Sequence, residues 1–263
     1  MCFFKIIVPN YNNAEWLERC LASVVSQTFK DYKLVFIDDK SDEEEVLEIV
    51  KKVFEKNSEP RMTAVFCDRK VWNGGARNIG LADTTASEYT VFLDSDDMFA
   101  DENWLKDLHD FIVENNMPDC VRLSYIAEFE DHAEHFSLPD NTPETLVCSP
   151  FVACWTKVIK SNLLVPFPEN TLMEDVVQHI KQCDRLTSVA VFNRFGIFHN
   201  GRNKNSCSSP DNQDKQNGKW KSSMFRYMAD LMDLTCEHSY CEAERQKRAS
   251  ICLDNIKQGV YWQ

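Results

Sequence analysis

Residues 89–98 read Tyr89-Thr90-Val91-Phe92-Leu93-Asp94-Ser95-Asp96-Asp97-Met98. A short apolar run with strand character leads directly into three carboxylates within four positions. Left alone, those carboxylates repel one another. A divalent cation relieves the repulsion, and hard cations such as Mg²⁺ and Mn²⁺ take oxygen ligands, often one or two carboxylates completed by substrate phosphates. The alternative for the same residues is a solvated turn in which Asp97 or Asp101 caps the next helix. A calcium-binding EF-hand loop is excluded, because counting from Asp94 places Phe99 at position six and Leu105 at position twelve, where glycine and glutamate are needed.

Working outward, short apolar runs alternate with segments of helical period. Residues 3–8, 32–37 and 62–67 read as strands, and residues 89–93 as a fourth. Between them, residues 14–27 place Trp16, Leu17, Cys20, Leu21, Val24 and Val25 at helical spacing. Ser41 reads as the cap of a helix over residues 43–56, whose acidic first turn suits the helix dipole. Residues 75–82 read as the opening of a helix, and 101–115 as another. Strand and helix in alternation argue for βαβ units and a mostly parallel sheet flanked by helices. Ligands bind such sheets beyond the carboxyl ends of the strands, so the turns at 9–13, 38–41, 68–73 and 94–97 are the candidate site.

After residue 118 the pattern changes. Residues 120–129 read as a strand, with 134–139 folding back on it. A short strand and a helix are expected within 143–164, a helix over 172–183 and a strand over 188–198. Residues 200–217, rich in Asn, Ser, Lys and Gly, read as a mobile loop. From Lys219 onward, apolar positions such as Phe225, Met228, Leu231, Met232, Ile251, Leu253 and Ile256 indicate a helical extension.

Composition narrows the function. The chain has 263 residues, 43% of them hydrophobic, which suffices for one large α/β domain with a helical appendage. A net charge of −13 disfavours nucleic-acid partners. No run reaches the roughly 18–20 apolar residues of a membrane span. The first eight residues run into Pro9-Asn10-Tyr11-Asn12-Asn13 and read as a strand, not a signal peptide. The 11 cysteines include no Cys-x-x-Cys pair, and no glycosylation sequon occurs, so buried thiols in a cytoplasmic setting are expected.

Two further motifs are weak singly. Asp38-Asp39-Lys40-Ser41 follows a strand, as turn and cap residues often do. Asn73-Gly74-Gly75-Ala76-Arg77-Asn78-Ile79-Gly80 is neither a dinucleotide fingerprint nor a P-loop. It sets a flexible backbone and one arginine at an expected helix N-terminus, a geometry that suits an anion. A plain tight turn is the alternative.

Taken together and in order, these segments resemble the family 2 glycosyltransferases. The matching pieces are Ile7-Val8-Pro9-Asn10-Tyr11-Asn12, Phe36-Ile37-Asp38-Asp39-Lys40-Ser41, Gly74-Gly75-Ala76-Arg77-Asn78-Ile79-Gly80, Phe92-Leu93-Asp94-Ser95-Asp96-Asp97 and Met173-Glu174-Asp175. The match is strong over residues 3–115 and looser to about 200. It implies a GT-A fold, with residues 1–217 as the transferase domain (1–115 for the nucleotide sugar, 116–217 for the acceptor) and 218–263 as the helical extension. It implies an inverting transfer of one sugar from a nucleotide-sugar donor, a UDP-sugar before a GDP- or dTDP-sugar, to a glycan or other hydroxyl acceptor, with Mn²⁺ or Mg²⁺. By similarity, Pro9 and Tyr11 shape the base pocket, and Asp38 or Asp39, with Asp39 favoured, accepts a hydrogen bond from the base. Arg77 lies near the donor, Asp94 faces the ribose or donor sugar, Asp96 holds the metal and Asp175 is the base. Asp94 and His199 are further candidate metal ligands. His199, Arg202 or Lys204 are candidates to reach the diphosphate.

Some positions stay open. Glu174-Asp175 also suits an acidic helix start, and Trp155 reads either as core or as an acceptor-pocket wall. His132 and His135 fit no zinc signature. Lys40 departs from the small residue common in the family, and the Gln/Arg-x-x-Arg-Trp motif of processive synthases is missing. Two competitors remain. A sugar-phosphate nucleotidyltransferase needs a glycine-rich basic loop that residues 9–13 lack, and a degenerate binding module is disfavoured by the intact acidic motifs. The C-terminal helices are expected to permit a homodimer.

Overall fold

The computed structural model describes residues 1–57, 61–171, 173–204, 206 and 219–258. The first four strands, β1 (Cys2–Asn10), β2 (Tyr32–Asp38), β3 (Met62–Phe66) and β4 (Ser87–Phe92), pair in parallel in the order β3-β2-β1-β4. The interleaved helices are α1 (Ala14–Val25), α2 (Glu44–Asn57) and α3 (Trp72–Leu81). Helix α1 buries Leu17, Cys20, Leu21 and Val24, the apolar stripe that its spacing dictates. Helix α3 lies very close to the sheet. A Cβ on Gly80 would sit 2.6 Å from a methyl of Ile7 and 3.0 Å from Ile37, so only glycine permits this approach.

Beyond β4 short antiparallel strands enter, so the sheet is mixed, with its longest ladders parallel as expected. The short β5 (Met98–Phe99), helix α4 (Trp104–Glu114), β6 (Cys120–Glu128), β7 (Ala133–Phe136), α5 (Pro143–Val147), β8 (Lys157–Lys160), α6 (Glu174–Cys183) and β9 (Val189–Asn200) follow. Strand β8 enters antiparallel between β4 and β6, β9 runs parallel to β6, and β5 closes antiparallel on β9. The expected fold-back is the β6–β7 hairpin. Near the end of β9, Gly196 passes over the fully buried Trp104, where any Cβ would overlap the indole.

Helices α7 (Lys219–Asp233) and α8 (Ser239–Gln258) realise the expected extension. They share a second apolar core with α5 and α6, in which Leu231, Met224, Tyr227, Cys241 and Cys252 meet Leu146, Ile180 and Cys183. Burying one such aliphatic or aromatic side chain contributes about 1.5–3 kcal/mol, so the tail is docked on the body through several of them. Phe225, Met232, Ile251 and Leu253 face outward. Among the described residues, no helix is long and apolar enough to cross a membrane. The loop expected over 200–217 falls largely on residues 205 and 207–218, which lie outside the described residues.

Candidate functional site

The loop after β1 is knitted to the loop after β2. Asn10 Nδ2 donates to Asp38 Oδ1 at 2.9 Å, and the Ser41 hydroxyl donates to the same oxygen at 2.6 Å. The Asn12 amide in turn donates to Ser41 Oγ at 2.8 Å. Ser41 is therefore a turn residue and not the cap expected for α2, which begins at Glu44. The turn needs the left-handed conformation at both Asn12 (φ 46°) and Lys40 (φ 59°). Asp38 and Asp39 are buried. Asp39 accepts the Val71 amide at 2.5 Å and pairs with Lys70 at 3.1 Å, and the Lys70 ammonium lies over the ring face of Tyr11. Tyr11 itself is 42% exposed.

The acidic turn after β4 closes by an Asp97 amide donated to the Asp94 carbonyl, which forces the three carboxylates into different surroundings. Asp94 Oδ1 pairs with Arg77 Nη2 at 2.9 Å. Asp96 Oδ2 accepts from Asn203 Nδ2 at 2.7 Å, and its carbonyl accepts from Arg19. Burial, with Asp97 and Asp94 close by, pushes the Asp96 carboxyl up to about 7. Asp97 is fully buried and points away from solvent; it accepts from His199 Nδ1 at 3.1 Å and from the Asn200 amide at 2.8 Å. Desolvation opposes charge on His199, but Asp97, Asp96 and Asp94 override it and hold the imidazole up at about 9. The ring stacks on Trp155 at 4.9 Å between centroids.

Helix α6 brings the third group. Glu174 and Asp175 stand in its first turn, where the dipole favours negative charge. Glu174 Oε1 meets Arg77 Nη1 at 2.7 Å, and Asp175 Oδ1 lies 3.5 Å from the same nitrogen. Burial and the neighbouring Asp175 push Glu174 up to about 7 against the pull of Arg77. Gly74 and Gly75 lie inside the first turn of α3, not ahead of it, and a Cβ on Gly74 would strike the Pro168 carbonyl. The expected anion cradle is thus a helix-packing contact, and Arg77 is turned to carboxylates.

One cavity of about 420 Å³ joins these pieces. Pro9, Tyr11, Asn13, Arg77, Asp94, Asp96, Trp155, Glu174, Asp175, His199 and Asn203 all line it. The structure therefore brings Pro9, Tyr11, Arg77, Asp94, Asp96, Asp175 and His199 together, with Asp38 and Asp39 buried outside the cavity lining. Trp155 is buried and also lines the cavity. Arg202 pairs with Glu128 and Lys204 with Glu130.

Among the described residues, no three His, Cys, Asp or Glu side chains converge tightly enough to hold an ion by themselves. Asp94 is engaged by Arg77. Asp96 is a half-buried carboxylate crowded by like charge, and His199, tethered through Nδ1 to a carboxylate, keeps Nε2 as its other ring nitrogen, an arrangement common among ligating histidines. Two protein ligands with the remainder from phosphate and water fit Mg²⁺ or Mn²⁺. The sequence alone gave no signal for Asp97 as the partner of His199, for Asn203 on Asp96, or for Lys70 over Tyr11, since each pairing joins distant segments.

Residues 5–145 match the family profile described as Glycosyl transferase family 2. Over 118 residues the chain is 41% identical to the poly(ribitol-phosphate) beta-N-acetylglucosaminyltransferase TarP of Staphylococcus aureus, covering 43% of this chain and 33% of TarP. The chain spans less than half the length of the curated relatives it matches. Residues 1–349 of S. aureus TarS in complex with UDP-GlcNAc superpose with a TM-score of 0.71 at 20% identity, over 95% of this chain and 71% of that one. The mannosyltransferase PcManGT of Pyrobaculum calidifontis, solved with GDP-Man and Mn²⁺, gives 0.65 at 14% identity, over 95% and 70%. At these identities the structural likeness establishes the GT-A type of fold.

Proposed function

The chain belongs to glycosyl transferase family 2, and on that premise we propose that it transfers a single sugar, with inversion, from a UDP-sugar to a hydroxyl of a glycan or other acceptor. The observation that carries this reading is the single cavity in which the exposed Tyr11, the acidic turn of Asp94 and Asp96, and Asp175 at the start of α6 all meet. The names of the relatives and the nucleotide sugars bound by the structural neighbours support it.

In this reading the base lies on Pro9 and Tyr11, with Asp39 accepting its N–H once Lys70 yields that face, and Asp38 holding the turn behind. Asp94 faces the ribose or donor sugar beside Arg77. Asp96 and His199 hold Mn²⁺ or Mg²⁺, which when bound neutralises charge on the diphosphate. Asp175 accepts the proton of the attacking acceptor hydroxyl. Attack from the α6 side, opposite the leaving diphosphate, inverts the anomeric carbon. Trp155 offers an apolar wall on the acceptor side. The division into donor residues 1–115 and acceptor residues 116–217, and a cytoplasmic setting in keeping with ten free cysteines among the described residues, belong to the same proposal. So does a homodimer through α7 and α8, supported by the outward Phe225 and Met232 and checked by light scattering.

The test is a panel of UDP-N-acetylglucosamine, UDP-glucose and GDP-mannose incubated with the protein in Mn²⁺, Mg²⁺ or excess chelator. Slow metal-dependent release of UDP is expected. Failure to bind or hydrolyse any of the three would sink the reading, and full activity in chelator would remove its metal.

A further inference from the structure

Arg77 is almost fully buried, and both terminal nitrogens of its guanidinium are engaged by carboxylates, while Nε has no hydrogen-bond partner. Nη1 contacts Glu174 at 2.7 Å and Asp175 at 3.5 Å, while Nη2 contacts Asp94 at 2.9 Å. These partners sit on two separate elements, the turn after β4 and the first turn of α6. An arginine that grips a diphosphate must present its fork to the ligand. Turning this fork outward would leave Glu174 as an uncompensated buried charge, which is strongly disfavoured. A planar, rigid fork also suits a link between carboxylates at fixed spacing, which a single ammonium cannot span.

We propose that Arg77 is a positioning residue that ties Asp94 to Glu174 and Asp175, fixing the donor relative to the base, and does not itself hold the donor phosphates. The inference rests on the reading of Asp175 as the base. Its effect is on alignment: a displacement of about 1 Å in a reacting group can cost about 10²-fold in rate.

The test uses UDP affinity by calorimetry with Mn²⁺ and the turnover of UDP-N-acetylglucosamine hydrolysis at saturating donor. Arg77→Met is expected to keep the UDP dissociation constant within about threefold while turnover falls about 10²-fold. Arg77→Lys keeps the charge but not the fork and is expected to recover only part of that loss. Glu174→Gln, which leaves Arg77 on Asp94, should lower turnover with UDP affinity again unchanged. Should Arg77→Met fail to fold, the double variant Arg77→Met/Glu174→Gln removes the cation together with a buried carboxylate and carries the same expectation. A tenfold or larger loss of UDP affinity with turnover preserved at saturation overturns the inference, and so does unchanged turnover in every variant. A wild type that neither binds UDP nor hydrolyses the donor overturns the functional reading first and this inference with it.

Discussion

The first 115 residues and the rest of the chain solve the same problem differently. In the first region, strands β1, β2 and β4 are largely buried while β3 is only part-buried, and most polar site residues lie in the turns, with Lys5 on β1 a buried cation that reaches the Asp83 carbonyl. In the second, cations are buried in mid-sheet. Arg122 on β6 stands opposite Lys157 on β8, and both are solvent-inaccessible. Their nitrogens hold the segment 149–156. Arg122 donates to Ser149, Phe151 and Thr156, and Lys157 donates to the carbonyls of Val152 and Ala153. That segment carries Ala153 and Trp155 to the cavity wall. On the donor side, parallel ladders carry turns that Asp38, Asp39 and Ser41 then fix, whereas buried cations clamp an irregular backbone on the other side, where acceptor contacts are proposed.

The largest expected effects test whether that division is also a division of labour. Asp96→Ala should cost at least about 10³-fold in donor hydrolysis, the several kcal/mol that a bound metal supplies, and should abolish the dependence of UDP affinity on Mn²⁺. Asp175→Asn should cost about 10²–10⁴-fold in turnover, the range for a general base, while leaving UDP affinity intact. Equal losses of UDP affinity in the two variants would break the comparison.

How much of this could be read in advance follows the same line. Strands β1 to β4 and helices α1 to α3 were legible because apolar period and turn chemistry agree locally, and the acidic turn because three carboxylates in four positions are hard to explain as surface. Strand β8 was expected only as a short strand somewhere within 143–164, since four residues with a lysine at each end carry little strand signal, and its antiparallel insertion is set by pairing with segments far off in sequence. Arg77 illustrates the limit inside the site. Its place near the acidic motif could be inferred, but its role as partner to Glu174, 97 residues later, depends on how α3 and α6 pack. The burial of Arg122 and Lys157 runs against the local rule for charged residues, and it is tolerated because a carbonyl-rich segment folds over both and Asp140 pairs with Arg122 at 3.4 Å.

Packing offers a smaller probe of the same contrast. Gly196→Ala places a methyl on the buried Trp104 indole, which has nowhere to move. Gly80→Ala meets the Ile7 Cγ2 methyl at 2.6 Å and the Ile37 Cδ1 methyl at 3.0 Å, a milder overlap than the one on the indole. Overpacking typically costs about 1–3 kcal/mol, or very roughly 2–10 °C in melting temperature for a chain of this size. Gly196→Ala should fall at or beyond the upper end and Gly80→Ala toward the lower. The reverse order in thermal melts would mean that the β9–α4 contact yields more readily than the donor-side sheet.

A last, pH-dependent effect comes from the buried lysine. Desolvation, with Arg122 adding like charge, pushes Lys157 down to about 8 from its ordinary 10.5. Between those two values the unfolded chain holds a proton that the folded protein has released. Folding stability must therefore rise with pH across this window, and the cost of the buried charge is felt in full below it. Lys157→Met lacks this linkage but shares the other titrating groups. The stability of wild type minus that of the variant should accordingly increase between pH 8 and 10.5, whichever protein is the more stable at pH 7. The shift sets the ceiling on that increase, about 3 kcal/mol at about 1.36 kcal/mol per unit, and the neutral amine still donates to the Val152 and Ala153 carbonyls. Paired melting curves across that range provide the measurement. A difference that stays flat would show that the ammonium is solvated, and the contrast between a ladder-built donor side and a cation-clamped acceptor side would lose its second half.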